Sequence, residues 1–300
     1  VADGSSPAQS KFSLAERRLV DAGIEISARP PSGSELSFVH AGFTQVSLPR
    51  TKCASREYFH RIGDTWVRLT AGSISIDGAE TRCDLPYGAL ARLALARINT
   101  HVVRTGSREV PIASSAASWL RTLGKSESKG HLDRARKTLG DLSACHLTLG
   151  RGNRTTKESI VRSVNGWAQG PDGRQWPTAI EVTRDYFEDL KNHAVPLDFR
   201  ALQVLAGSSL ALDIYTWLSY RLHRVTTPTR ISWAAIEAQF AAAEDGVEEW
   251  RGSWRRAFRR QLHAVQAVYA GEAVTTDSFG VVIKHCKPPV PPSAVDKACG

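Results

Sequence analysis

The stretch WRGSWRRAFRRQLHAVQAVY, Trp250 to Tyr269, decides how this chain is read. At about 100° per residue, Trp250, Trp254, Phe258, Leu262, Val265 and Tyr269 fall on one face. Arg255, Arg256, Arg259, Arg260 and His263 fall on the opposite one. The spacing predicts an amphipathic helix whose polar face is almost purely cationic. Three roles suit such a helix: a solvated surface, a membrane-surface anchor, or a helix that reads nucleic acid. A solvated face usually alternates its charges, with glutamates four residues from arginines, and here Glu248 and Glu249 stand only at the start.

The flanking sequence narrows the choice. A long helix is expected from about Leu197 to His223, carrying LALDIYTWLSYRL and capped by Asp198. TRIS then reads as a short strand, WAAIEAQF as a helix, Trp250–Tyr269 as a third helix and AVTTDSFGVVIK as a hairpin. Helix, strand, helix, helix, hairpin is the order of a winged helix-turn-helix domain. In that fold the third helix enters the major groove and the hairpin wing touches backbone or minor groove.

The same order is legible once before. A helix is expected from about Tyr87 to Arg104, with Leu90, Leu93, Ile98 and Val102 inward, followed by the strand REVPI. The helix SSAASWLRTL starts at a serine cap and stops at Gly124. HLDRARKTLGDL is the third helix, with Leu132, Leu139 and Leu142 on one side and Arg134 and Lys137 on the other. HLTL and SIVRSV are expected to pair as a wing across GRGNRTTK. The repeat is one of architecture, with little identity of letters.

Outside the copies, residues 1–10 read as loose, Ser13–Ile26 as a helix, and LSFVHAGFTQVSL and TWVRLTAGSISI as strands. KNHAVPLD, Lys191–Asp198, reads as a linker because Pro196 disfavours a continuous helix. The tail PPVPPSAVDKACG reads as extended or disordered. The expected fold class is α+β: two tandem winged helix-turn-helix domains with an N-terminal helix and strands. The boundaries are 1–34 for the flexible segment and helix, 35–192 and 193–287 for the two domains, and 288–300 for the tail.

Composition agrees with a polyanion partner. The chain has 300 residues, is 42% hydrophobic and 23% charged, and carries a formal net charge of +9, so it is attracted to nucleic acid. Five scattered cysteines form no CxxC pair. With no signal-peptide pattern and no apolar run of about 18 residues, a cytoplasmic protein is expected.

Several stretches carry a resemblance: FTQVSLPR (Phe43–Arg50), LPYGALARLALARINTHVVRTGSREV (Leu85–Val110), SLALDIYTWLSYRL (Ser209–Leu222), and the third helix with its VYAGEAV exit. In these the chain resembles plasmid replication initiators of the RepA C-terminal family, over about residues 38–288. The resemblance implies a bacterial protein that binds repeated origin sites (iterons) and helps open the duplex. It also implies a role in plasmid copy control, contact with the host replication initiator and helicase, and a homodimer through the N-terminal strands.

For such a partner, arginine suits both phosphate and guanine because its planar fork binds either bidentately. The candidate DNA-binding residues are Arg251, Arg255, Arg256, Arg259, Arg260 and His263 on the second third helix. On the first they are Lys129, His131, Arg134 and Lys137, and at its wing tip Arg151, Arg154 and Lys157. Trp217, Trp233, Trp250 and Trp254 read as core. No catalytic residue, cofactor or metal site is expected: there is no HExxH, no GxxxxGK[ST], and no paired histidines with ligand spacing. A transcription repressor autoregulating a replication gene needs the same modules. An origin-nicking relaxase would need a tyrosine such as Tyr186.

Overall fold

The computed structural model describes residues 13–76, 79–152, 154–155, 160–169, 175–241 and 251–299. Helix α1 (Leu14–Ala28) begins at a capping box. The Ser13 hydroxyl accepts from the Glu16 amide at 3.2 Å, and the Glu16 carboxylate accepts from the Ser13 amide at 2.7 Å. This satisfies two of the orphan donors every helix start exposes. Strand β1 (Leu36–His40) follows, then β2 (Glu57–Ile62), β3 (Thr65–Thr70), β4 (Ser73–Ile76) and β5 (Ala79–Arg82). The apolar run LSFVHAGFTQVSL forms a strand only over its first five residues. It then turns through a 3₁₀ segment, Ala41–Thr44.

Helix α2 (Gly88–Thr105) ends on Gly106 at φ 64°, a left-handed cap that suits glycine. Strand β6 (Glu109–Pro111) leads to α3 (Ala116–Thr122), capped by the Ser115 hydroxyl, and α4 (Lys129–Ala144). Next come β7 (His146–Arg151), β8 (Arg154–Thr155), β9 (Val161–Gln169), β10 (Gln175–Val182) and α5 (Arg184–His193). Strand β11 (Ala194–Asp198) opens the second half, followed by α6 (Phe199–Leu205) and α7 (Ser209–Arg221). Strand β12 (Thr229–Ser232), α8 (Trp233–Phe240), α9 (Arg251–Val268), β13 (Val274–Thr276), β14 (Gly280–Ile283) and α10 (Pro292–Cys299) complete the chain. The molecule is a mixed α+β structure.

The two halves share a sheet plan. In the first, the order is β6-β10-β9, and in the second β12-β14-β13, all antiparallel. In each, the strand that precedes the two helices is bonded to the last strand of the following hairpin.

Four expectations need correction. Among the described residues HLTL and SIVRSV meet through one backbone bond only, from the Ile160 amide to the Leu147 carbonyl at 3.2 Å: β7 lies between β3 and β8 in the sheet β2-β3-β7-β8, and β9 pairs with β10. Buried Trp176, Ile180 and Val182 give β10 the apolar side that β9 needs. The single helix expected over Leu197–His223 is two. Asp198 caps α6 as foreseen, but the chain breaks at Ala206 and Gly207 and restarts at the Ser208 cap, because glycine and a capping serine together favour a new helix start. The supposed linker is the end of α5 followed by a strand: β11 pairs antiparallel with β1, Leu36 opposite Asp198 and His40 opposite Ala194. The proline-rich tail is not extended throughout. Val290 is buried, and α10 begins at Pro292, where the missing amide costs nothing and the fixed φ suits a first turn.

One apolar core spans both halves. Its second-half centre is a ring cluster in which Trp233 meets Phe258 edge-on at 5.9 Å, Trp254 lies 5.4 Å from Phe258, and Trp217 meets Phe240 edge-on at 5.4 Å. Trp217, Trp233 and Trp254 are thus core, as read; Trp250 lies outside the described residues.

The three quoted blocks FTQVSLPR, LPYGALARL and SLALDIYTWL converge on one carboxylate. Arg92 in α2 grips Asp213 in α7 through two bonds of 2.6 and 2.8 Å. It also donates to the carbonyls of Leu48, Pro49 and Gly88, while Arg50 reaches the same carboxylate at 3.9 Å.

Helix α1 lies against α6 and α9. A Cβ on Gly23 would stand 2.1 Å from the Ala267 carbonyl oxygen. Gly23→Ala is therefore expected to lower the melting temperature. Alanine gains roughly 1 kcal/mol of helix propensity, but a backbone atom cannot yield as a side-chain tip does, and forced overpacking costs typically 1–3 kcal/mol. A raised melting temperature would show that α1 does not dock there.

Candidate nucleic-acid interface

Helix α9 hangs on its apolar face. Trp254, Phe258, Leu262 and Val265 are buried, and this fixes which side chains turn outward. At about 100° per residue, Arg256, Arg260, His263 and Ala267 share the side opposite the core. Arg256, Arg260 and His263 are exposed, and neither arginine makes an ion pair among the described residues.

The other two arginines are already engaged. Arg255 binds the Glu237 carboxylate at 2.6 Å and lies over the Trp233 ring at 5.7 Å, tying α9 to α8. Arg259 lies over the same ring at 4.7 Å and donates to the Asp277 carbonyl at 3.2 Å, tying α9 to the β13–β14 turn. The cationic face therefore divides into a free stripe and a fastening edge. Nothing is described of the Arg251 side chain, although its backbone begins α9.

Two features here were not read from the sequence. Helix α1 crosses the last turns of the same face through the Gly23–Ala267 approach, so the open part of the stripe is its N-terminal half. The hairpin turn also presents an aromatic ring. Phe279 is 70% exposed, with the Arg230 guanidinium 5.6 Å from its ring centre. Asp277 builds that turn by accepting from the amides of Phe279 and Gly280 at 2.8 and 2.9 Å, and it pairs with Arg230 at 2.9 Å. These amides, together with Arg230, hold the Asp277 carboxyl below its ordinary range. The signal was the turn composition of TDSFG, which a search for basic residues passes over.

In the first half, Lys129 and Arg134 on α4 are exposed. The His131 ring is held by Ser126, 2.8 Å from its hydroxyl and 3.1 Å from its carbonyl oxygen. Lys137 is paired with Asp84 at 2.8 Å and Asp141 at 3.1 Å. Partial burial alone would lower the Lys137 pKa; these two carboxylates outweigh it and raise it. His131, Arg134 and Lys137 line a cleft of about 330 Å³ whose far wall is Ala206, Gly207 and Ser209 of the second half. Lys125 crosses this cleft to donate to the Ala206 carbonyl at 2.7 Å.

Arg151 is exposed at the end of β7, opposite Arg154 at the tip of the β7–β8 hairpin, in the sheet with the N-terminal strands and not in the β6-β10-β9 sheet. Arg154 is placed in β8 by its backbone alone, and Lys157 lies outside the described residues. Tyr186 is buried, and its hydroxyl donates to Asn99 at 2.8 Å; burial pushes its pKa up. Among the described residues no group of His, Cys, Asp or Glu could hold a metal ion, and no helix is long and apolar enough to cross a membrane.

No curated protein matches the chain. Among solved structures, selenomethionine derivatives of domains 2 and 3 of RctB share 14% identity over 82% of this chain and 96% of theirs, at a TM-score of 0.48. A second structure of RctB domains 2–3 shares 15% identity over 82% of this chain and 97% of its own, at 0.43. The model of the family described as plasmid encoded RepA protein matches residues 85–235, half of the chain. That span runs from the approach to α2 into α8 and contains both Arg92 and Asp213. The chain belongs to the RepA family of plasmid replication initiators.

Proposed function

We propose that the two halves act as tandem winged helix-turn-helix domains, approximately 35–192 and 193–287, that bind repeated duplex sites at a plasmid origin and promote its opening. The observation that carries this reading is the shared sheet order, β6-β10-β9 and β12-β14-β13, each enclosing a short helix and then a basic one. In such a domain the second of those helices lies in the major groove and the hairpin beside it. Helix α9 is the principal reader, with Arg256 and Arg260 turned to the DNA and Arg255 and Arg259 holding the helix to α8 and the hairpin turn. Helix α4 contributes Lys129 and Arg134. The chain works as a cytoplasmic binding protein and not as an enzyme. The Tyr186 hydroxyl, buried and donated to Asn99, is out of reach of a scissile phosphate.

Permanganate probing of a supercoiled plasmid carrying the origin tests this role. Reactive thymines beside footprinted direct repeats are expected, and only with the protein present. A footprint over an inverted repeat at a promoter, with no reactive thymines, would assign the same modules to repression. A metal-dependent nick lost in Tyr186→Phe would assign them to a relaxase.

A further inference from the structure

The sheet β2-β3-β7-β8 has a buried face and an open one, and the open face is unusual in composition. Tyr58, His60, Val67, Leu69, Leu147 and Leu149 point into the core. Strand alternation puts Phe59, Arg61, Trp66 and Arg68 on the opposite side. The register sets Phe59 directly across from Arg68, and Arg61 across from Trp66. A solvent-facing sheet ordinarily carries threonines and mixed charges. This one carries two aromatic rings and two arginines on neighbouring strands.

The rings are held for contact. Phe59 is 50% exposed, and its centroid lies 6.0 Å from that of Trp66 at an interplanar angle of 36°, so neither ring covers the other's face. Trp66 lies flat on the next strand. It sits opposite Gly150, and a Cβ there would come within 2.0 Å of the indole, so the glycine is what lets the ring lie down. The Arg68 guanidinium is 5.4 Å from the Phe59 ring centre and makes no ion pair among the described residues. Among the described residues Arg61 donates to the Gly63 carbonyl alone, at 3.0 Å. On this face Glu57 is the one carboxylate in β2, and β3 and β7 contain none.

We propose that this face binds single-stranded nucleic acid, its bases stacking on Phe59 and Trp66 and its phosphates meeting Arg61 and Arg68. Flat rings flanked by cations on an open sheet are what unpaired bases require, because every base has a face to stack and every linkage carries a negative charge. Duplex DNA offers no such faces. A second copy of this chain fits poorly, since self-apposition would bring the arginines of two copies together with only Glu57 to offset them. The surface uses none of the residues assigned to the duplex, so it supplies an initiator with a place for one strand of the DNA it opens. In that last respect it rests on the function proposed above.

The test measures fluorescence anisotropy of the full chain with a labelled oligothymidylate and, separately, with labelled origin duplex. Phe59→Ala is expected to weaken oligothymidylate binding by about tenfold, the loss of one stacked base at roughly 1–3 kcal/mol. Duplex affinity should stay within about twofold, since a neutral ring removes no phosphate contact. Phe59→Trp should restore strand binding. Arg256→Glu with Arg260→Glu should do the reverse, sparing the oligothymidylate and losing the duplex. Phe59 is half-exposed, so the variant is expected to fold, and an unchanged melting temperature checks this. The proposal is overturned if the wild type does not bind oligothymidylate, or if Phe59→Ala binds it as well as wild type does. It is equally overturned if Phe59→Ala loses both ligands together, or if sedimentation shows that Phe59→Ala splits a dimer. Failure of duplex binding in the wild type would instead count against the winged-helix reading.

Discussion

Arg92→Met should destabilise the protein by about 3–5 kcal/mol, the usual cost of leaving one member of a buried ion pair without its partner. Both side chains are 10% exposed, so water cannot replace the lost fork, and Arg50 at 3.9 Å is a distant substitute. The loss reaches further than one pair. Arg92 also satisfies the carbonyls of Leu48, Pro49 and Gly88, so its removal leaves acceptors unpaired in the segment that joins the N-terminal strands to α2. Asp213→Leu alone strands the arginine, whereas the double change removes both charges. Denaturant unfolding of the two single variants and the double one should therefore show a coupling of roughly 2 kcal/mol or more. Additive losses would mean that the two blocks meet without depending on each other.

Reversing Arg256 and Arg260 to glutamate should lower duplex affinity by on the order of 100-fold, with little change in melting temperature. Neither arginine has an ion-pair partner among the described residues, so no such contact among them is lost. If each neutralises one phosphate, the slope of log affinity against log salt should fall by about 0.9 per contact. Arg255→Ala should behave differently. It breaks the Glu237 pair and uncovers the Trp233 ring, so its effect belongs to stability first and to binding only through a loosened α9. Equal losses of affinity from Arg255→Ala and Arg256→Ala, at unchanged stability, would contradict the division of the face.

That division shows where the sequence stops being legible. Periodicity and caps placed α2, α3, α8 and α9, and TRIS and WAAIEAQF were bounded as found, because Ser115 and Ser232 mark helix starts through local hydrogen bonds. The apolar face of α9 was legible for the same reason. Its polar face was legible only as a charge pattern. Which arginine meets Glu237, and which stripe α1 crosses, are set by elements distant in sequence. Strand partners failed likewise: β7 and β9 each have strand periodicity, but nothing local says that β7 turns to β3 while β9 waits for β10. The break at Gly207 and the helix begun by Pro292 were local signals that were misread, outweighed by a long apolar run in one case and a run of prolines in the other.

Selection of bound DNA from a random pool, followed by sequencing, bears most directly on the proposed role. Two tandem reading helices that serve an origin should enrich one asymmetric element that recurs as a direct repeat, and the Arg256→Glu, Arg260→Glu protein should enrich nothing. Enrichment of a palindrome, or recovery of the same element by the doubly reversed protein, would contradict the proposal.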